Sequence, residues 1–319
     1  MPFKFGVHFE PLFGFDYKTI EKIAVNAEEL GYDSLWTCDH FFKDRDAVTR
    51  NSLEAWTLLT SLATKTTKPK LGVLVSCNSY RHPALLAKIA ATVDMISEGR
   101  LILGIGAGWK EVEYEAYGFP FPPVGERMNR LEESLRAIIQ LFTSDRATFD
   151  GEYYQLREAP FAPKPIQKPY PSILIGGHGE KRTLRLVAKY GDMSNFSPWA
   201  ADRIDRLLKT LRGHCDDIGR DYNTITKTYL GYCLISENSQ EIQAFNERRA
   251  QEQGIPVDSY LEKQSKLPGA WAGSPEEIAK QYQYLIDRGF SHFQLLFPYG
   301  RELEMSERFA KEVRPKLSH

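Results

Sequence analysis

Chemistry in this 319-residue chain is most readily built where short apolar runs end in polar or glycine-rich residues. The run Ser34-Leu35-Trp36-Thr37 leads into Cys38-Asp39-His40. An imidazole at such an end can exchange a proton near neutral pH, although the position equally suits a histidine satisfied within the structure. Two glycine clusters follow other apolar runs: Gly104-Ile105-Gly106-Ala107-Gly108-Trp109 and Gly176-Gly177-His178-Gly179. Glycines let backbone N–H groups approach an anion closely, and a helix N-terminus behind them adds a positive dipole end. The second cluster opens a helical pattern containing Leu184, Leu186 and Val187. It reads as a phosphate cradle assisted by Lys181 or Arg182, or as a tight turn without a ligand. The first is less specific, because GxGxG turns are common.

Further candidates surround these. Trp109, directly after a glycine-rich end, can wall a ring-binding pocket or cap it. Val75-Ser76-Cys77-Asn78 closes another run, and Val7-His8-Phe9-Glu10 the first. Cys38 and Cys77 suit buried, inert thiols better than nucleophiles. Glu54, three residues after Asn51, is expected to close a capping box, with a place in the pocket second. Trp56, spaced with Leu53 and Leu59, is expected to pack. Phe13, Phe15, Phe41, Phe42 and Trp199 suggest an apolar entrance.

The elements carrying these residues follow from repeated punctuation. Helical patterns end in Gly31, Gly99, Gly191 and Gly289, and a short apolar strand follows each. Glycine stops a helix because it takes positive φ without steric cost. The helices are amphipathic: Ile20, Ile23, Ala24, Ala27 and Leu30 share a face, as do Leu86, Ile89, Ala90, Val93 and Ile96, and Leu131, Leu135, Ile138, Ile139 and Phe142. Ser274-Pro275-Glu276-Glu277 is a capping-box start. Eight strands are predicted at 3–9, 33–38, 70–76, 100–106, 172–176, 192–196, 226–235 and 291–297. Serial αβ units in this number favour a closed (β/α)8 TIM barrel, one domain over 1–319, with catalysis at the strand C-termini. Two stretches interrupt the pattern. Residues 143–171 carry Pro160, Pro163, Pro165, Pro169 and Pro171 and suit an extended connection. Residues 236–272 are polar and weakly periodic, suiting a helical insertion or a lid over the barrel mouth.

Composition narrows the partners. Lys+Arg number 41 against 42 Asp+Glu, a net charge of -1, so nothing favours nucleic acid or an anionic membrane. No apolar run approaches a membrane span and the start lacks a signal-peptide pattern. Four cysteines without CxxC spacing point away from zinc and toward free thiols in a reducing cytoplasm. The expectation is a cytoplasmic protein acting on a small molecule without a metal, as a monomer or homodimer.

Several blocks resemble the luciferase-like flavin and deazaflavin superfamily. They are Trp36-Thr37-Cys38-Asp39-His40-Phe41, Tyr80-Arg81-His82-Pro83-Ala84-Leu85-Leu86-Ala87-Lys88, Gly99-Arg100-Leu101, Leu103 through Trp109, Glu113 through Gly118, and Ile173 through Gly177 with Arg182 through Ala188. They come in the family's order and cover most of residues 3–235. Ser76 through Pro83 and Glu180 through Tyr190 are most similar to the branch using coenzyme F420, a 5-deazaflavin. The resemblance implies hydride transfer between that cofactor and a small organic substrate. FMN-dependent monooxygenation is the alternative, and a deazaflavin-binding protein without catalysis a second. It further implies that Asp39 hydrogen-bonds the cofactor and that His40 is the proton donor or acceptor. A non-prolyl cis peptide is implied at Leu74-Val75, forming a bulge behind the ring beside Ser76 and Asn78. Gly106, Ala107, Gly108, Gly176, Gly177, His178 and Gly179 would bind the ribityl chain and phosphate, and Phe13, Trp109 and Glu54 the substrate side. The sequence departs at Trp109, where sugar-phosphate dehydrogenase members carry an acidic Glu. His40 is thereby left as the one acid/base residue.

Overall fold

A computed structural model describes residues 3–252, 254–265 and 271–318. Eight parallel strands form its centre: β1 (Lys4–Phe9), β2 (Ser34–Thr37), β3 (Lys70–Val73, resumed at Ser76–Cys77), β4 (Leu101–Gly106), β5 (Ile173–Gly176), β6 (Met193–Phe196), β7 (Thr226–Tyr232) and β8 (Phe290–Leu296). Each pairs with its neighbour in sequence, and β8 pairs back onto β1 with Phe5 opposite Phe293, so the sheet closes into the expected (β/α)8 barrel.

Strand alternation divides the interior. Phe5, Val7, Leu35, Leu103, Ile175 and Phe293 face outward into the main core beneath the helices. Trp36, Ile102, Leu174 and Met193 face inward, where Leu74 and Val75 pack on them. A Cβ on Gly72 would lie 2.3 Å from Trp36 Cζ3, so this glycine gives the indole its room across the barrel. Several polar side chains inside pair with one another: Ser34 Oγ is 2.7 Å from His292 Nε2, and Asn195 Nδ2 donates to Thr228 Oγ1 at 2.9 Å and Gln294 Oε1 at 3.0 Å.

Around the barrel lie α1 (Tyr17–Glu29), α2 (Ala55–Lys65), α3 (Pro83–Ile96), α4 (Glu111–Tyr117), α5 (Val124–Thr143), α6 (Thr183–Tyr190) and α7 (Ile204–Asp216), then α8 (Ser239–Glu252), α9 (Val257–Ser265), α10 (Pro275–Ile286) and α11 (Glu302–Arg308). The capping box at Ser274 and Glu277 forms as its sequence indicates. Gly31, Gly99 and Gly289 stop their helices at positive φ, but Gly191 is extended at φ -87. It is needed there for close approach, since a Cβ would meet Val187 Cα at 3.2 Å and Met193 O at 3.3 Å.

The structure corrects several boundaries. The third strand is interrupted at Leu74-Val75, where the peptide bond is cis as expected. The seventh stops at Tyr232 rather than 235; Cys233 N–H caps it on Leu296 O at 3.0 Å, and Leu234–Ile235 pair with Ala272–Gly273 outside the barrel. Residues 143–171 are more than an extended link. Arg146–Asp150 and Gln155–Pro160 form an antiparallel hairpin that buries Ala147, Phe149 and Leu156; Pro160 ends it, and Pro163, Pro165, Pro169 and Pro171 follow. The insertion at 236–272 contains the helices α8 and α9. Residues 253 and 266–270, and with them part of the expected lid, lie outside the described residues. Among the described residues no helix is long and apolar enough to cross a membrane.

Candidate active site

Beyond β2 the chain crosses the barrel mouth as Cys38-Asp39-His40. His40 Nδ1 lies 2.9 Å from Glu113 Oε2, and the Glu113 side chain, from the first turn of α4, is fully buried. The same carboxylate accepts from the Phe41 N–H at 2.8 Å, the Phe42 N–H at 3.3 Å, the Tyr80 hydroxyl at 2.9 Å and Lys110 Nζ at 3.3 Å. Burial opposes its ionisation. The hydrogen bond and charge of His40, the Lys110 ammonium and the Phe42 N–H outweigh that cost and bring the carboxyl down to about 2. An ionised Glu113 can only accept, so in the neutral imidazole Nδ1 carries the hydrogen and Nε2 has the lone pair. Trp109 stands edge-on to the imidazole, with ring centres 5.6 Å apart and planes at 81°.

Asp39 makes a second anchor. Arg81 grips it in two places, Nη1 to Oδ2 at 2.7 Å and Nη2 to Oδ1 at 2.9 Å, and Oδ2 also accepts the Cys77 N–H at 2.8 Å. The far side of Arg81 reaches Glu54. The largely buried Asp39–Arg81 pair ties the end of β2 to the end of β3, an arrangement that is strong when both charges are present and costly when one is removed. Glu54 is itself the N-cap of α2, accepting from Thr57 N at 2.6 Å, which corrects the expected cap at Asn51. Ser76 is enclosed and its hydroxyl accepts the Trp56 indole N–H at 3.1 Å, so Trp56 packs as expected and Ser76 is turned toward α2.

The glycine clusters meet at the adjacent ends of β4 and β5. Val75 explains part of their composition: a Cβ on Gly106 would lie 2.7 Å from Val75 Cγ2, and one on Gly176 2.9 Å from Cγ1. Beyond the strands, Gly108 and Gly177 take φ of 79 and 122. Among the described residues no backbone acceptor takes the N–H groups of Gly108, Gly177, His178 or Gly179. These donors, with Ala107 beside them and α6 behind, fit an anionic tail. Asn78 is buried in the same region and its Oδ1 has no partner among the described residues. Burial lowers His178 to about 4, so its ring is neutral at pH 7; Nε2 lies 3.3 Å from Ser197 Oγ. Arg182 does not serve this cradle. It is directed to Gly125 O and Asn129 on α5.

Phe13 lies on the rim against Tyr299, with ring centres 6.2 Å apart and Lys43 5.2 Å above its ring. The four cysteines are free and buried, and burial raises the Cys77 thiol to about 11, as suits inert thiols. No group of three or more His, Cys, Asp or Glu among the described residues is placed to hold a metal. A surface groove lined by Arg136, Tyr170, Lys189, Tyr190, Asp192 and Arg220 opens toward the strand N-termini and shares no residue with this constellation.

Sequence reasoning missed the roles of Glu113, Tyr80 and Arg81, although it quoted all three residues in the resembling blocks. Glu10 was read only as a strand end. It carries a carboxylate 3.8 Å from His8 Nε2. Burial raises its pKa, but the His8 hydrogen bond and the charges of His8, His40 and Arg249 lower it below the usual value.

The parallel barrel thus places a histidine–carboxylate pair at the same mouth as the unpaired N–H groups of two strand ends. The chain belongs to the luciferase-like monooxygenase family, whose profile matches residues 4–292. It is 31% identical over 316 residues to an F420-dependent glucose-6-phosphate dehydrogenase of Kineococcus radiotolerans, covering 92% of this chain and 91% of the relative. A protein of the same name from Amycolatopsis mediterranei is 26% identical, with 95% of each chain covered. Among solved structures, an F420-dependent secondary alcohol dehydrogenase in complex with an F420-acetone adduct superposes over 100% of both chains with a TM-score of 0.83 at 21% identity. Long-chain alkane monooxygenase superposes over 99% of this chain and 91% of its own, with a TM-score of 0.80 at 16% identity. At these identities the two structures establish the shared fold.

Proposed function

We propose that this chain is a coenzyme F420-dependent oxidoreductase that exchanges a hydride with a small organic substrate, with His40 handling the accompanying proton. The observation that carries the reading is the His40–Glu113 hydrogen bond of 2.9 Å at the barrel mouth, next to the unpaired N–H groups of two strand ends. The names of the relatives at 31% and 26% identity support the choice of coenzyme. Gly108, Gly177, His178 and Gly179 would hold its phosphate and ribityl chain, with Leu74, Val75 and Asn78 beside the ring. When bound, the coenzyme supplies a carbon that accepts or donates a hydride and has little one-electron oxygen chemistry.

The protein's own contribution is proton transfer and orientation. His40 Nε2 takes the hydroxyl proton of the substrate while its carbinol C–H bond breaks and a C=O bond forms, or returns it in the reverse direction. Glu113 holds the ring in the tautomer that leaves Nε2 free and favours the imidazolium once formed. Asp39 supports the position through Arg81 and Cys77 N–H. The four buried thiols suit the reducing cytoplasm, and the exposed Leu85, Met95 and Ile96 of α3 suit a homodimer.

Titration with F420 and FMN separately tests the coenzyme. Tight binding of F420 and not FMN is expected, and the reverse would favour monooxygenation. His40→Ala is expected to retain F420 binding and lose turnover. Undiminished turnover rejects the role, and F420 binding with no substrate converted in a broad screen points to a binding protein.

A further inference from the structure

We infer that the substrate side of this pocket takes an uncharged alcohol, or its carbonyl counterpart, whose apolar group lies on Trp109, and that it is not built for a sugar phosphate. The inference rests on the function proposed above and concerns what the same site selects.

Trp109 is the first observation. It stands 5.6 Å from the His40 imidazole yet remains 72% exposed. An indole left in water beside the acid/base group gains from being covered by apolar surface, and the gain scales with the area removed from water. A flat, rigid side chain also covers a substrate at little entropic cost. On the opposite rim Phe13 and Tyr299 continue the aromatic wall.

Charge balance is the second. A phosphate monoester needs a surplus of cations, as in a bidentate arginine clamp. Here several of the guanidinium and ammonium groups around the strand ends are already paired with carboxylates. Arg81 lies between Asp39 and Glu54, and Lys110 on Glu113. Arg301 lies between Glu241 and Glu304, and Arg249 is paired with Glu252 at 2.8 Å while its guanidinium covers the Tyr232 ring. Lys43, over the Phe13 ring, and Arg50, beside Gly14 and Tyr299, have no carboxylate partner among the described residues, but both stand at the Phe13–Tyr299 rim; the Glu10 carboxylate adds negative charge next to His40. A phosphate held against His40, away from that rim, would have to break one of these pairs; a neutral alcohol breaks none.

The test compares cyclohexanol, propan-2-ol and glucose 6-phosphate on the F420-loaded enzyme, with the corresponding ketones in the reverse direction. Binding of cyclohexanol is followed separately by quenching of tryptophan fluorescence, which needs no turnover and no coenzyme. Cyclohexanol is expected to exceed propan-2-ol in kcat/KM by at least about tenfold. Trp109→Ala should lose about 10- to 100-fold in kcat/KM for cyclohexanol, mainly through KM, and should lose the fluorescence response, with a smaller loss for propan-2-ol, so that the ratio between the two alcohols collapses. Glucose 6-phosphate should give no turnover. Preference for glucose 6-phosphate, lost in Lys43→Ala, would overturn the inference, as would a ring-over-alkyl preference that survives Trp109→Ala. Failure to bind F420 would instead reject the function proposed above. F420 binding with neither alcohol nor ketone bound or converted would reject the inference alone.

Discussion

Replacing Glu113 by Gln changes one atom and should disable His40. The carboxylate takes donors on both oxygens: Phe41 N–H, Phe42 N–H and Lys110 on Oε1, His40 and Tyr80 on Oε2. An amide keeps one acceptor oxygen. Placed toward Phe41 it preserves the backbone bonds but turns its NH2 on His40 Nδ1 and the Tyr80 hydroxyl. Nδ1 must then accept, the ring hydrogen moves to Nε2, and the nitrogen facing the pocket can no longer take a proton. The opposite orientation sets NH2 against two backbone N–H groups and Lys110, which is worse. In a serine-protease triad the wrong tautomer costs about 10⁴ in kcat. Here kcat is expected to fall about 10²- to 10⁴-fold, a barrier increase of about 3–5 kcal/mol.

The electrostatic scale agrees. Displacement of the Glu113 carboxyl from 4.5 to about 2 corresponds to about 3 kcal/mol favouring the ionised, partnered form. Because the folded value is depressed, that stability is present above pH 4.5 and is lost as pH falls toward 2. Glu113→Gln should therefore be less stable than the wild type at pH 7, with the difference shrinking at pH 3. Steady-state turnover, F420 affinity and urea unfolding at the two pH values measure all three effects. The coenzyme affinity should stay within about threefold, since the glycine cradles are untouched. A folded Glu113→Gln enzyme whose kcat falls less than threefold would refute the argument that this carboxylate keeps His40 competent.

Two other positions test the cradle and the pH response. At Gly108, with φ 79, an added Cβ would come 1.9 Å from Tyr114 Oη and 2.7 Å from Cys77 Sγ, so Gly108→Ala should lose about 2–4 kcal/mol of stability and weaken F420 binding at least tenfold by calorimetry. Glu302 is buried with the Gly300 N–H as partner, and burial raises it to about 7. Its folded value is raised, so stability is present below pH 4.5 and falls as pH rises through 7, by up to about 3 kcal/mol; Glu302→Gln should remove that slope in urea midpoints between pH 5 and 8.

The barrel was legible because its signals are local. A glycine stop, an apolar run and an amphipathic face are each read within a dozen residues, and they fixed eight strands to within a few positions of those observed. The hairpin at 146–160 was missed although Asp150-Gly151 marks a turn and Ala147 and Phe149 alternate before it; the prolines that follow dominated the reading. The glycine clusters were read as a cradle for the phosphate and ribityl chain or, for the second, as a tight turn without a ligand. The structure divides them, with Gly106 and Gly176 making room for Val75 and the glycines beyond the strands leaving N–H groups open.

The site was legible only as far as each strand end could be read by itself. His40 and Glu113 are 73 residues apart, and Asp39 and Arg81 are 42 apart. Neither pairing has a sequence period, because each is made by barrel closure. β2 and β4 are not neighbours in the sheet, but β3 curves between them, and α4 folds back from β4 across the mouth to the end of β2. For this reason Trp109 was misleading in one respect. It fills the place where an acid was expected, which made His40 look solitary. The acid stands one helical turn further on, at Glu113, and it acts on the other nitrogen of the ring. A carboxylate at position 109 would face the substrate. At position 113 it is sealed from solvent and can only orient His40, so the aromatic residue and the buried acid divide the work: one shapes the pocket, the other sets the proton.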